Sequence, residues 1–482
     1  MTAPGDSAPD RARVLGTIAL IAFLSTADNT VVAAAAPSVA GELALGVTAT
    51  QGVTVAYLLP FAGLLLAAGP VVDRFGERAA LRAGLAVFAA GTVLAACARA
   101  VEPLLAGRVL QGLAAALLVP ATLSLVRTRL VPADRPKGAA VWTVSLALAL
   151  AAGPVVGGFV SASAHWSWVF WGVLPLLVGT WAALPGPGPR TAPRPVDRLG
   201  MALAGVTMLL VTAALLSLAD GGEWSVALAV TGVVAALVFA NRDRRSRTPV
   251  LPPALVGAPL FRGALLVQTL WGLGVTGITV VTPLVHQRWL GLGPAEAALP
   301  LAAVAAALIL TAPWVPKAQA RLGAPATVAG GLVVVGVGLA AVAAVNHLPS
   351  VGPRLPGLLL VGIGSAFTVP LTTMALDSAD DRLAGAASGV LSAAREFAGA
   401  LGVALVAVLI AGAADGPAMA QGYTRALLVA AALQLAAAVV AARLRPNLSL
   451  VHNADPAATH NYDKSAVEKS PLPLARTAVV DE

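Results

Sequence analysis

Apolar residues along this chain come in long unbroken runs separated by short polar turns, not in the period-two alternation of half-buried strands. A helix needs about 20 apolar residues to cross the hydrocarbon core of a bilayer. Inside lipid only helices and closed barrels satisfy every backbone polar group, and barrel strands alternate, so continuous runs predict helices. Fourteen spans are expected, over 14–36, 50–72, 79–98, 103–125, 138–161, 167–185, 199–219, 224–241, 263–286, 295–315, 325–345, 355–376, 384–412 and 425–443. Residues 1–13 read as a polar tail. The first run continues past Val32 with no small-residue cleavage site after it, so a retained span is expected, not a signal peptide. Residues 185–195, rich in Pro and Gly, separate two halves. The division expected is therefore a tail over 1–13, six spans over 14–185, a linker with two additional spans over 186–261, six spans over 262–444, and a polar, disordered tail over 445–482.

Composition agrees with a bilayer as solvent. Of 482 residues, 58% are hydrophobic and only 11% charged, with mean hydropathy +0.84, whereas a soluble domain carries roughly 25% charge. The single cysteine, Cys97, sits in an apolar run; it excludes a disulfide framework and reads as a small buried apolar residue. Lys and Arg outnumber Asp and Glu, 31 to 23, but no basic face with a nucleic-acid motif accompanies them. Their placement follows the positive-inside rule. With a cytoplasmic N-terminus, 22 basic residues fall in inside segments and four (Arg99, Arg288, Arg354 and Arg425) outside, which requires an even span count and a cytoplasmic C-terminus. The run Asn241 to Arg247 is then a topology signal.

Few charges remain at membrane depth: Asp28, Arg108, Arg395 and Glu396. Each costs about 2.5–3.5 kcal/mol at mid-membrane, so such residues face a bundle interior or wet cavity and do chemistry there. The five histidines read as loop, span-end or tail residues, so a carboxylate must carry any proton. Arg395 and Glu396 are sequence neighbours, expected to point about 100° apart. Gly385, Gly389, Ser392, Glu396 and Gly399 form one small, polar face that suits close helix contact. No His, Cys or acidic cluster points to a metal, a cofactor or an enzyme.

Local motifs add detail. After the second span comes Gly69-Pro70-Val71-Val72-Asp73-Arg74-Phe75-Gly76-Glu77-Arg78, and a faded copy with Arg321 and Gly323 stands 247 residues later, Ala320 replacing Asp73. The first span carries Asp28-Asn29-Thr30-Val31-Val32, the fourth Arg108-Val109-Leu110-Gln111-Gly112, and the fifth Gly153-Pro154-Val155-Val156-Gly157-Gly158. Trp166-Ser167-Trp168-Val169-Phe170, with Pro175, opens the sixth.

Gly69, Asp73, Arg74, Gly76 and Arg78 resemble the signature loop G-x-L-x-D-R-x-G-R-K of the major facilitator superfamily, with Val71 for leucine and Glu77 for a basic residue. Together with the other motifs the chain is similar to the fourteen-span drug:proton antiporters of that superfamily. The resemblance implies a major facilitator fold, two six-helix bundles plus two extra central helices. It implies proton coupling through Asp28, Arg108, Glu396 and Arg395, a cytoplasmic gating loop at Gly69, Asp73, Arg74, Gly76 and Arg78, and an antiporter motif at Gly153, Pro154, Gly157 and Gly158. Candidate cavity residues are Asn29, Gln51, Tyr57, Gln111, Trp142, Gln268, Trp271 and Thr372. The function expected is proton-coupled export of an amphipathic or cationic drug or antibiotic, by a monomer in the bacterial inner membrane, with the proton gradient and no cofactor. A transporter of an endogenous metabolite and a transport-dead membrane sensor are the alternatives.

Overall fold

A computed structural model describes residues 8–45, 47–186, 197–219, 224–410 and 416–444, and every regular element among them is helical. The first half contains α1 (Ala8–Glu42), α2 (Val47–Phe75), α3 (Glu77–Ala96), α4 (Val101–Thr128), α5 (Arg135–Ser163), α6 (Trp168–Trp171) and α7 (Val173–Ala183). A hairpin of α8 (Arg198–Ala219) and α9 (Ser225–Arg245) follows. The second half runs through α10 (Pro253–Gly257), α11 (Pro259–Trp271), α12 (Gly277–Leu290), α13 (Pro294–Thr311), α14 (Val315–Leu322), α15 (Ala324–Val345), α16 (Leu355–Ala366), α17 (Pro370–Asp377), α18 (Ala384–Ile410) and α19 (Gly416–Ala442). Proline opens α10, α11 and α13 at the first helical position, where its missing N–H costs nothing. A π-helical turn, Gly272–Thr276, joins α11 to α12 into one long span.

Eleven helices among the described residues are long and apolar enough to cross a membrane, and two shorter apolar ones cover Trp168–Ala183 and Arg198–Ala214. Several sequence expectations change. Residues 8–13 are not a tail but the first turns of α1, where Asp10 pairs with Arg129 at 3.5 Å and Arg11 with Asp134 at 3.1 Å. The last helix begins at Gly416, earlier than its apolar run. Cys97 is exposed at the C-terminal cap of α3. His286 is not at a span end: α12 continues to Leu290 and buries it, 1% exposed, with Nδ1 3.3 Å from the Ala297 carbonyl. Arg354, counted as an outer-loop charge, is fully buried; it donates to the carbonyls of Asn346, Leu348 and Ser350 and to the Asn346 side chain, closing the C-terminal end of α15. The expected break over 185–195 lies outside the described residues from 187 on, as does the tail over 445–482.

The two halves repeat one packing scheme. In the first, α1 packs on α5, α3 on α4 and α2 on α4; in the second, α12 packs on α18, α15 on α16 and α13 on α16. The repeat is visible in backbone geometry. Gly76 separates α2 from α3 at φ 82°, and Gly323, 247 residues on, separates α14 from α15 at φ 79°. Only glycine takes that conformation freely, which is why it survives where Asp73 has become Ala320. Across the seam the halves meet through α2 against α18 and α5 against α13. The hairpin leans on the seam: α8 packs on α2 and on α18, whereas α9 packs on α8 and buries little else.

Candidate functional site

The deepest polar cluster joins α1, α2, α3 and α4. Asp28 is 2% exposed and Arg108 and Gln111 are fully buried. The Arg108 guanidinium forms an ion pair with Asp28 through Nη1, and the same nitrogen donates to Gln111 Oε1 at 2.8 Å. Its Nη2 donates to Asn29 Oδ1 at 3.0 Å and its Nε to the Val53 carbonyl at 3.2 Å. Gln111 Nε2 donates to Asp28 Oδ1 at 2.9 Å and to Thr92 Oγ1 at 3.0 Å. Tyr57 lies under the cation, 4.6 Å from ring centroid to guanidinium carbon, while its hydroxyl donates to the Ser25 carbonyl at 2.6 Å. The spacing of Arg108, Gln111 and Gly112 explains the reach. Residues three apart share a helix face, and a Cβ at Gly112 would collide with the Tyr57 backbone and Pro60, so α4 comes close enough to α2 for Arg108 to reach Val53.

A buried ion pair is stable only while both charges remain and their other hydrogen bonds are satisfied. Both oxygens of Asp28 and every nitrogen of the Arg108 head are engaged here. Adding a proton to Asp28 would remove the countercharge from a guanidinium that cannot lose its own.

The glycines of the fifth-span motif work beside it. A Cβ at Gly153 would collide with Thr30, and one at Gly157 with the Val31 carbonyl and Ala34. The motif thus seats α5 on α1 within six residues of Asp28, and Thr30 Oγ1 lies 3.3 Å from the Ala149 carbonyl. The side-chain faces of Pro154 and Gly158 lie outside the described residues, as does that of Gln51.

In the second half Arg395 and Glu396 do not diverge. Arg395 Nε and Nη2 both donate to Glu396 Oε1, at 3.2 and 2.8 Å. Two long side chains curl back over the helix surface and cancel the backbone angle that separates them. The pair is half-buried, at 17% and 30% exposure. Arg395 also stacks across the seam on Trp142 of α5, 4.5 Å from the ring centroid. Gln268, Trp271 and Thr372 are half-buried on α11 and α17. Trp271 directly precedes the π-helical turn, where Gly272 and Gly277 meet Arg395, Ala398 and Gly402 of α18 at close range.

The signature loop closes one end of the seam. Asp73 accepts the backbone N–H groups of Gly385 and Ala386, at 2.6 and 2.9 Å, capping the N-terminus of α18 from the opposite half. The contact requires small residues: Gly69 meets Gly385 and Ala386 almost backbone to backbone, and Gly389 sits on Leu65 and Gly69. Arg74 lies 5.4 Å from the Phe75 ring centroid, and the Nε of Arg78 is buried without a hydrogen-bond partner. Glu77, acidic where the loop's pattern has a base, sits 3.8 Å from Arg129, which also bonds Asp10. A second closure was absent from the sequence expectations. Arg127 and Arg135 converge on Asp377, at 3.0 and 2.5 Å, and Arg127 also donates to the Ala379 carbonyl. The two arginines enter the sequence reading only through the positive-inside count; the acidic run Asp377, Asp380 and Asp381, at an end of the molecule that is otherwise basic, was the available signal.

The chain is 32% identical to the multidrug efflux pump LfrA of Mycolicibacterium smegmatis, over 83% of this chain and 81% of that one. It is 32% identical to the puromycin resistance protein pur8 of Streptomyces alboniger, over 90% and 91%. Among solved structures the human organic anion transporter MFSD10 (TETRAN) shares the fold with a TM-score of 0.65, at 16% identity over 90% of this chain and all of that one. The family model of the Major Facilitator Superfamily matches residues 18–403, a stretch that includes Asp28, the signature loop, Arg108, the α5 glycines and the Arg395–Glu396 pair. With its repeated halves, its glycine-seated seam and these relatives, the chain belongs to the Major Facilitator Superfamily and is a multi-pass membrane transporter, not an enzyme.

Proposed function

We propose that this transporter exports drugs or antibiotics from a bacterial cell in exchange for protons, by alternating access. The printed functions of its relatives, drug efflux and antibiotic resistance, support the class of cargo. The observation that carries proton exchange is the Asp28–Arg108 pair, a carboxylate and a guanidinium fully engaged with each other at the bundle centre. In this reading a proton loaded from outside neutralises Asp28, frees Arg108 to find other acceptors and loosens α1 against α4. The glycine contact of α5 with α1 lets that loosening become a helix displacement. Glu396 and Arg395 line the opposite wall, where a cationic or amphipathic substrate would meet a half-exposed carboxylate, with Asn29, Gln51, Tyr57, Gln111, Trp142, Gln268, Trp271 and Thr372 around it. Asp73 on α18 and the two arginines on Asp377 hold the basic end shut.

The division belongs to the same proposal. Six spans over 14–185, two over 186–261 and six over 262–444 make fourteen, with α5 and the two shorter apolar helices completing the eleven. Both termini and the basic end face the cytoplasm of an inner membrane, as the arginine distribution predicts. The protein works as a monomer, with the proton gradient as its energy source and no cofactor.

The test is a drug-susceptibility panel in an efflux-deficient host, followed by transport in everted vesicles. The native chain is expected to raise resistance to at least one compound class, and collapse of the proton gradient to stop its transport. Asp28→Asn, present in the membrane at native level, should abolish gradient-driven transport. Resistance and vesicle transport that survive Asp28→Asn unchanged would refute the proton role.

A further inference from the structure

The basic run at the end of α9 is folded into a knot, not left as a loose charge signal. Asp197, just before α8, accepts the Gly200 N–H at 2.9 Å, Arg242 Nη2 at 2.9 Å and the Ser246 hydroxyl at 2.8 Å. These contacts, the Gly200 N–H first, hold its carboxyl below the usual range. Asp243, 5% exposed, accepts the backbone N–H groups of Val250 and Leu251, at 2.7 and 3.1 Å. Both carboxylates therefore turn inward. Arg198, Arg244, Arg245 and Arg247 are left on the surface, exposed and without an ion pair to any described residue. A topology signal requires only that positive charges be present; it does not require acidic neighbours to be consumed by the backbone so that a rigid face is purely cationic.

The helix above this face has the complementary chemistry. On α9, among the described side chains, only Gly232, Phe239 and Asp243 are buried, and Val230, Val234, Leu237 and Val238 are each at least half exposed. An apolar lipid-facing strip thus runs directly into four arginines at its membrane-surface end. Arginine clusters beside a spanning helix recognise anionic headgroups, each residue contributing measurably near the surface.

We infer that the knot joining α8 and α9 is a binding site for an anionic phospholipid, its phosphate held by Arg198, Arg244, Arg245 and Arg247 and its acyl chains lying along the valine face of α9. The inference rests on the chain lying in a bilayer, not on what it exports, so it stands or falls independently of the transport reading.

Native mass spectrometry of the full chain, released from mixed vesicles of phosphatidylglycerol and phosphatidylethanolamine, tests it. The native protein should retain phosphatidylglycerol selectively. R198Q/R244Q/R245Q/R247Q should lower its affinity about tenfold or more, while the four-lysine variant should recover part of it. Labelling of Cys97, the sole cysteine, at the opposite end of α3 reports that orientation is preserved. A control variant, R13Q/R82Q/R321Q, neutralises exposed arginines elsewhere at the basic end. An equal loss in that control, equal retention of both lipids, or displacement by millimolar inorganic phosphate as readily as by lipid would overturn the proposal.

Discussion

At the residue scale the Asp28–Arg108 pair separates stability from transport. Removing one partner of a buried pair costs about 3–5 kcal/mol because the other charge is left unmatched, whereas removing both is often neutral. Asp28→Asn alone is therefore expected to lower thermal stability in detergent. Asp28→Asn with Arg108→Gln should recover most of the loss, without recovering gradient-driven transport. Thermal melts of the two purified variants check this, and a double variant no more stable than the single would count against the pairing as the main term. Much of this cluster was legible in the sequence, since charges at membrane depth are too expensive to be incidental. Gln111 was legible as a member of the fourth-span motif and as a cavity residue; its role in spanning Asp28 and Thr92 needs the third dimension. Arg354 was not legible at all. A buried cation satisfied by helix-end carbonyls leaves no acidic partner in the sequence to find.

At the element scale the informative contact is a helix capped by another half of the molecule. Asp73 supplies two charge-assisted hydrogen bonds and a favourable charge at the N-terminus of α18, together about 1–2 kcal/mol. Asp73→Ala should shift the population toward a form open at the basic end by roughly 5- to 30-fold. Ser388, fully buried on α18 one turn beyond the cap, reports it as Ser388→Cys in a Cys97→Ser background. Its labelling by an impermeant thiol reagent should speed up accordingly, and an unchanged rate would remove Asp73 from the closure. The glycine positions that permit this crossing stood out in sequence as a small face, but their partner helix did not. The π-helical turn before α12 left no distinctive sequence signal, because glycines such as Gly272 and Gly274 are scattered through most helices of this chain.

At the scale of the whole molecule two closures share one end, and magnitudes rank them. Asp377 is 45% exposed on its side chain, so its ion pairs with Arg127 and Arg135 are screened and worth about 0.5–1 kcal/mol together. In a double-mutant cycle on the same labelling readout, Arg127→Gln and Asp377→Asn should couple by about half a kcal/mol, less than the effect of Asp73→Ala alone. A larger coupling would make the exposed pair the main latch. These partners, 250 and 242 residues apart, were out of reach of sequence reading, while the repeat of halves was within reach because Gly76 and Gly323 preserve the same backbone turn.

The α8–α9 hairpin touches both halves, but not in the same way. A Cβ at Gly63 of α2 would strike Leu209 of α8, and one at Gly205 of α8 would approach Leu64, so knobs and sockets key the hairpin to α2. Its contact with α18 has no such glycine socket among the described residues. In the proposed cycle it is therefore a passenger of the first half that slides over the second. Had it been keyed to both, it would act as a brake. In the proposed cycle two helices beside a moving seam are tolerable because only one side grips them, and building an equivalent socket into α18 is the engineering route to a transporter arrested with its basic end shut.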